Sequence, residues 1–362
     1  MNILFLSHLT NEISQGPNYS VPARIFAQSK YDNVFWWNLT DAKQDFWVKT
    51  GLFHNITDYS EKTFSILPSP FNKPDIVVFE SLYYYDDIVF SKNCKKNNIP
   101  YVIVPRSALT YQGQSKKKLK KRVANFIFFN SVIKNASGIQ YLTQKELEDS
   151  GNKWNEFSFV IPNGIEKKQK KVELTSPKNE LQGIYIGRFD PFQKGLDLLL
   201  NACLSVKDEL LENNVVISLH GPERLGCRKE YIEKINNLHL NKILKVKEGV
   251  FGTEKEKVLL DSDFFIMTSR FEGMPMSMIE ALSYGLPCFA TKGTNMTDDI
   301  RRYSAGWTCD NTSESISKEL CRMIAEKDKI ITYSKNAISL SEEYNWDRIA
   351  QKTHDQFVSI VS

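Results

Sequence analysis

Short apolar runs alternate with polar, lysine- and asparagine-rich stretches along the chain, in two successive rounds. In the first half the runs are 2–9, VFWWNL (34–39), DIVVFES (75–81), YVIVPR (101–106), GIQYLT (138–143) and FSFVIPNG (157–164). Runs without strict alternation suit strands covered on both faces, as in a parallel sheet. The polar, proline-containing segment EKKQKKVELTSPK (166–178) reads as an interdomain linker. The second round has GIYIGRF (183–189), VVISLHG (215–221), ILKVKEGV (243–250), FFIMTS (264–269) and PCFAT (287–291). Helices are expected near 195–211, 228–238, 253–260, 276–284 and 313–326, with one more amphipathic helix after Trp346. Strands alternating with helices predict an α/β protein with a parallel sheet in each half. The expected domains are 1–170 and 178–344, the terminal segment 345–362 being a helix.

A length of 362 residues fits two such domains, and 41% hydrophobic with 25% charged residues is a soluble globular composition. The start, MNILFLSHL, lacks a basic leader and reads as a first strand, not a signal peptide. Six cysteines lie scattered without C-x-x-C spacing, which points to reduced thiols and a cytosolic compartment. The net charge of +4 is modest, but its distribution is uneven. Between Ile88 and Lys145 there are twelve Lys or Arg and no Asp or Glu, with six of the twelve in Lys116–Arg122. No nucleic-acid-binding signature accompanies them. The VANFIFFNSVI that follows gives this stretch an apolar side, so an anionic membrane surface is the expected partner. A solvated lysine-rich helix with its phenylalanines in the core is the competing reading.

Two stretches carry candidate chemistry. In SRFEGMPMSMIEALSYGLPCFAT (269–291) a buried strand ends, Gly273 and Pro275 make a turn, and Met278, Ile279 and Leu282 share one face of a helix. Glu272 and Glu280 bracket the turn; on a helix eight steps span about 12 Å, which suits one extended ligand with two hydroxyl-bearing ends. It exceeds the roughly 10 Å within which two carboxyls share one glycosidic bond. In GRFDPFQKGLDLLL (187–200) a strand ends at Gly187, a loop carries Arg188 and Lys194, and Gly195 opens a helix. A helix N-terminus with Arg and Lys beside it is a seat for an anion such as a diphosphate. The first strand-to-helix loop, NEISQGPNYSVPARI, lacks G-x-G-x-x-G, which argues against a dinucleotide oxidoreductase. His8 stands at the carboxyl end of the first strand, where doubly wound sheets bind ligands. Asp261-Ser262-Asp263 precedes a buried strand, so a local turn or cap contact is expected of Asp263 rather than metal binding.

Together, G-R-x…K-G and Glu272 with Glu280 in S-R-F-E-G-M-P resemble the donor site of retaining GT-B glycosyltransferases, specifically glycosyltransferase family 4 (group 1). The resemblance is strong over 183–291 and weaker before 160. It implies a GT-B architecture, two Rossmann-like domains facing each other across a cleft, with the terminal helix returned onto the first. It implies that Gly187, Arg188 and Lys194 bind and neutralise the diphosphate of a nucleotide sugar. Glu280 is then the ribose ligand, and Glu272 with the backbone of Gly273, Met274 and Pro275 holds the transferred sugar. IPNGI (161–165) matches a short family segment near the hinge, which puts Asn163 on the donor side. Gly16 and Asn18 in the first loop, His8, and Arg106 of PRSAL (105–109) fall on the acceptor side. Relatives often have His-Gly or Arg-Gly at 106–107; here Ser107 follows Arg106.

The expected activity is retaining transfer of a sugar from a nucleotide diphosphate sugar, UDP favoured over GDP-mannose, without metal or cofactor. The expected acceptor is a lipid-linked saccharide in bacterial cell-surface polysaccharide synthesis, at the cytoplasmic face of the plasma membrane. A catalytically inactive scaffold of the same fold, a saccharide-binding partner, or a nucleotide-sugar epimerase are the alternatives.

Overall fold

The structure is a computed structural model that describes residues 1–12, 16–115, 117–151, 153–166, 180–223 and 226–362. The chain folds as two compact units, Met1–Gly164 with Trp346–Ser362, and Ile165–Asn345. Residues 167–179, most of the expected linker, lie outside the described residues, as does Lys116 of the basic run.

The first unit is a seven-stranded parallel sheet. Its strands are β1 (Asn2–Ser7), β2 (Asn33–Asn38), β3 (Phe53–Asn55), β4 (Ile76–Phe79), β5 (Tyr101–Ile103), β6 (Gly138–Tyr141) and β7 (Ser158–Val160), in the order β3-β2-β1-β4-β5-β6-β7. Leu4, Leu6, Trp37, Val77, Phe79 and Ile103 face one core. The fully buried Ile3, Phe5, Trp36 and Val78 alternate with them, so the central strands are covered on both sides. The terminal helix Trp346–Val361 packs against the helix Pro17–Gln28, its Ile349 and Ala350 meeting Ala27 and Ile161. His354 Nδ1 lies 2.9 Å from the Asp32 carboxylate and Lys30 Nζ donates to Asp347 at 2.5 Å. Gly164 must be glycine here, because a Cβ would sit 2.5 Å from the Trp346 ring.

The second unit is a six-stranded parallel sheet of β8 (Leu181–Ile186), β9 (Val215–His220), β10 (Leu244–Lys247), β11 (Phe264–Met267), β12 (Cys288–Thr291) and β13 (Gly306–Cys309). The order is β10-β9-β8-β11-β12-β13. Both sheets are doubly wound: the strand order reverses between β1 and β4 in one and between β8 and β11 in the other. Ligands bind in the crevice at the carboxyl ends of such strands, at the switch point.

Several elements depart from expectation. β3 and β13 are three- and four-residue edge strands that extend the sheets by one strand each. The helices Thr297–Tyr303 and Ile330–Glu343 have no counterpart in the expected pattern. The expected helix 195–211 is two, Leu196–Ser205 and Lys207–Glu212, broken at the β-branched Val206 with φ −123° and ψ 35°.

Candidate active site

At the switch point of the second unit, the loop after β8 and the loop after β11 are stitched together. Gly195 takes φ +61°, and a Cβ there would lie 1.9 Å from the carbonyl oxygen of Thr268. Only glycine allows that approach. Thr268 Oγ1 donates back to the Gly195 carbonyl at 2.9 Å. The helix Leu196–Ser205 therefore begins against the carboxyl end of β11, with Leu196, Leu199 and Leu200 buried beneath it.

This arrangement brings Lys194 and Glu272 together. Lys194 Nζ donates to Glu272 Oε1 at 2.6 Å, with about a tenth of each side chain exposed (9% and 10%). Ser269 Oγ donates to the same carboxylate oxygen at 2.7 Å. Asn295 Nδ2 holds the main chain, donating to the carbonyls of Glu272 at 2.6 Å and Gly273 at 3.2 Å. Arg270 forks onto Asp197 at 2.6 and 2.7 Å and covers the Phe192 ring, tying the loop after β11 to the first turn of the helix. The half-buried Arg188 has no hydrogen-bond or ion-pair partner for its guanidinium among the described residues. Its carbonyl accepts from the Tyr185 hydroxyl at 2.9 Å. Burial, then the Glu272 carboxylate, push that hydroxyl far above its ordinary pKa, so it is a permanent donor.

Glu272 is in the loop and not on the helix, which runs Met276–Ser283 with Pro275 before its first turn. Met274 is buried, and Met278, Ile279 and Leu282 fix the helix to the core. Glu280 lies on the opposite, half-buried side, where Lys255 Nζ from the helix Gly252–Leu260 donates to Glu280 Oε2 at 2.8 Å. Gly187 donates its N–H to the His220 carbonyl at 3.0 Å, keeping the strand-end loop on β9.

The residues expected on the acceptor side lie in the first unit. His8 follows β1 at the switch point, stacked 3.8 Å from Tyr84, with Nδ1 3.2 Å from Ser81 Oγ and Nε2 3.4 Å from Asp86. Burial holds the imidazole below its ordinary pKa despite Asp86, so it is neutral at pH 7. Asn18 is fully buried and binds the first loop, donating to the Thr10 and Glu12 carbonyls at 2.7 Å each. Gly16 precedes the helix Pro17–Gln28, with no described residue within 4 Å of where a Cβ would sit. Arg106 has φ +48° and Ser107 φ +67°, a left-handed pair of non-glycine residues. The Arg106 guanidinium donates to Glu80 Oε2 at 2.5 Å, while Arg24 donates to Oε1 at 2.9 Å. Arg106 is thus spent on a buried Arg–Glu–Arg triad. Asn163 is buried and belongs to the first unit, whereas Arg188, Lys194 and Glu272 belong to the second.

Ser269, Asn295, Lys255 and Tyr185 escape sequence reasoning. Each acts through a tertiary hydrogen bond or ion pair and carries no spacing signal. Asp263 is at the amino ends of the strands, where its carboxylate accepts from the Gln182 N–H at 2.8 Å. Five residues of extended chain, about 16 Å, separate it from Thr268 at the other edge. No group of three His, Cys, Asp or Glu able to hold a metal occurs among the described residues.

Residues 166–339 match the family model described as glycosyl transferases group 1. An uncharacterized glycosyltransferase of Methanocaldococcus jannaschii is 24% identical over 259 residues, covering 70% of this chain and 66% of that protein. The UDP-Gal:alpha-D-GlcNAc-diphosphoundecaprenol alpha-1,3-galactosyltransferase of Escherichia coli is 22% identical over 215 residues, 56% of this chain and 54% of that one. The matches thus span about half to two thirds of these relatives' lengths. A crystal structure of Anabaena HepE in complex with UDP and glucose superposes with a TM-score of 0.72 at 17% identity, over 99% of this chain and 100% of that one. Two parallel Rossmann-like sheets and this superposition show a GT-B fold, whose residues 166–339 match the glycosyl transferases group 1 model.

Proposed function

We propose that this protein is a retaining glycosyltransferase of the family 4 type that moves a sugar from a nucleotide diphosphate sugar to a hydroxyl of a lipid-linked saccharide. The observation that carries the reading is the Lys194–Glu272 pair, at the switch point of the second sheet and beside a helix N-terminus and the unpartnered Arg188. Cations and amide donors beside a carboxylate match a ligand with a diphosphate next to a sugar. Arg188, Lys194 and the first turn of Leu196–Ser205 take the diphosphate. Glu272 and the Gly273–Pro275 backbone take the sugar hydroxyls, and Glu280 takes the ribose.

In the reaction the bond between the sugar's anomeric carbon and the β-phosphate oxygen breaks, and its electron pair leaves on the nucleotide diphosphate. Arg188, Lys194 and the helix amides stabilise that developing charge, the type of contribution that dominates when fixed donors face a leaving group. The acceptor hydroxyl attacks from the same face, and its proton passes to the departing phosphate oxygen. The cationic clamp does the work of charge neutralisation without a divalent metal, and Asp261 and Asp263 have no part in it.

UDP is the favoured nucleotide, supported by the UDP complex of HepE and by the donor in the name of the Escherichia coli relative. That relative's diphosphoundecaprenol acceptor supports a lipid-linked saccharide as acceptor in polysaccharide synthesis. The test is a thermal-shift and hydrolysis screen of purified protein over UDP-, GDP- and dTDP-sugars in EDTA. Stabilisation by UDP-sugars, with slow release of UDP, is expected. Indifference to every nucleotide sugar would overturn the reading.

A further inference from the structure

Part of the segment between β5 and β6, from Leu119 to Phe128, turns an apolar side outward, while Phe129, Val132 and Ile133 are buried. The segment runs as a helix over Lys118–Ala124, a π-helical turn over Asn125–Phe129 and a helix over Asn130–Lys134. An apolar stripe at helical spacing ordinarily faces the core. Here Leu119, Val123, Phe126 and Ile127 make such a stripe and face outward, Phe126 being 85% and Leu119 77% exposed; Phe128 is exposed as well.

The inward face combines Lys121 and Asn125 with the buried Phe129, and it fixes the orientation. Lys121 Nζ donates to the Gly113 carbonyl at 2.7 Å and sits 4.8 Å from the centre of the Tyr83 ring. Asn125 Nδ2 donates to Gln114 Oε1 at 3.0 Å, and Phe129 packs edge-on against Tyr83 at 4.8 Å. Lys121, Asn125 and Phe129 are four apart, so one line of contacts pins the helix with its apolar stripe outward. The wider π turn then presents Phe126, Ile127 and Phe128 consecutively, a local geometry common at functional positions. A helical step of about 100° sets Lys120 and Arg122 on the two flanks of the stripe. Lys117 and Lys118, also exposed, stand at the N-terminal end.

We propose that this stripe inserts into the interfacial region of an anionic lipid bilayer, with Lys117, Lys118, Lys120 and Arg122 on the headgroups. Charge complementarity selects the occupant: the chain from Ile88 to Lys145 has twelve basic and no acidic residues, so a second copy of this like-charged stretch is repelled. No described helix is long and apolar enough to cross a membrane, so the contact is peripheral. The segment leaves the sheet at the carboxyl end of β5, the edge at which doubly wound sheets take ligands. A docked bilayer would therefore lie on the side from which a lipid-linked acceptor is delivered. The inference does not depend on the donor chemistry, because vesicle binding is read without any nucleotide sugar.

The test uses the full chain and vesicles of phosphatidylcholine with or without phosphatidylglycerol. Wild type should co-sediment with the anionic vesicles and be released at high salt, since the attraction decays over about 8 Å at physiological salt. Each basic residue is worth about fivefold in partition. Lys117→Gln, Lys118→Gln, Lys120→Gln and Arg122→Gln together should lower binding more than a hundredfold. Leu119→Asn with Phe126→Asn should lower it at least tenfold while keeping the preference for anionic lipid. Phe126→Trp should be quenched by brominated lipid chains, the buried native tryptophans serving as background. Unchanged melting temperatures establish that all three variants are folded. Failure of wild type to bind, binding equal in wild type and the Asn variant, or an unquenched Phe126→Trp would each overturn the proposal. A dimer dissolved by Phe126→Asn would do so too, assigning the stripe to a second copy.

Discussion

Lys194 and Glu272 are 78 positions apart in sequence and joined by a 2.6 Å ion pair at the junction of two strand-end loops. The pair is nearly buried and also accepts a hydrogen bond from Ser269, so each partner is held in one orientation before any ligand arrives. Pre-set donors cost no reorganisation when charge develops on a leaving group.

Replacing Lys194 with Met should lower kcat by 30- to 1,000-fold, about 2–4 kcal/mol, as for losing one donor to a developing anion. Activity of wild type should be unaffected by excess EDTA. Loss of activity in EDTA with rescue by manganese would instead assign a metal to the diphosphate.

Glu272 and Glu280 should separate kinetically. A group that touches the transferred sugar acts mainly in the transition state, whereas one on ribose acts equally on substrate and product. Glu272→Gln is the informative change, because Glu272→Ala would strand a buried Lys194 at a cost of about 3–5 kcal/mol. Glu272→Gln should lower kcat and leave the Kd for UDP within threefold. Glu280→Ala should raise the Kd for UDP about tenfold, measured calorimetrically.

Gly195→Ala should be among the more damaging single-methyl changes in the second unit. It imposes a left-handed side-chain residue and a 1.9 Å contact with the Thr268 carbonyl. The expected loss is at least about 2 kcal/mol of stability, read as a lowered denaturation midpoint. A midpoint equal to wild type would mean the two loops are not in contact.

Much of this site was legible because its residues obey strand and helix punctuation. Gly187 ends β8, Gly195 opens a helix, and Pro275 precedes Met276–Ser283, so spacing put Arg188 and Lys194 in a strand-end loop and Glu280 on a helix, whereas Glu272, expected eight helical steps from Glu280, lies in the loop. What pairs with what was not legible. Lys255 reaches Glu280 from another helix, and Arg106 is claimed by Glu80, a residue 26 positions earlier in the chain. The helix Ile330–Glu343 opens on Ile330, Ile331 and Thr332, β-branched residues with no side-chain cap, so local propensity argued against it. β3 and β13 were too short to show a period. The outward stripe at Leu119–Phe128 was ambiguous for a different reason: periodicity reports that a helix has an apolar face, not which way it turns.

Asp87 gives the first unit a pH signature. It is buried with its carboxylate accepting from the Tyr84 N–H at 2.9 Å, and burial, aided by neighbouring Asp86, pushes its pKa up to about 7. The folded state therefore binds the proton more tightly than the unfolded chain. Its contribution is fully present below about pH 4 and is lost as pH rises to about 7. Asp87→Asn removes that loss. The variant-minus-wild-type difference in Tm should grow between pH 4 and pH 8, and a constant difference would show that Asp87 titrates normally.

The proposed function places a nucleotide diphosphate in the crevice between β8 and β11, held by Arg188, Lys194 and the adjoining helix amides. Calorimetric titration of UDP into the protein in excess EDTA tests it most directly, with wild type compared against Arg188→Ala, whose guanidinium has no ion pair to break within the described residues. Metal-independent binding of UDP is expected, weakened at least tenfold by Arg188→Ala with Tm unchanged. Binding that requires a divalent metal, or that Arg188→Ala leaves intact, would contradict it.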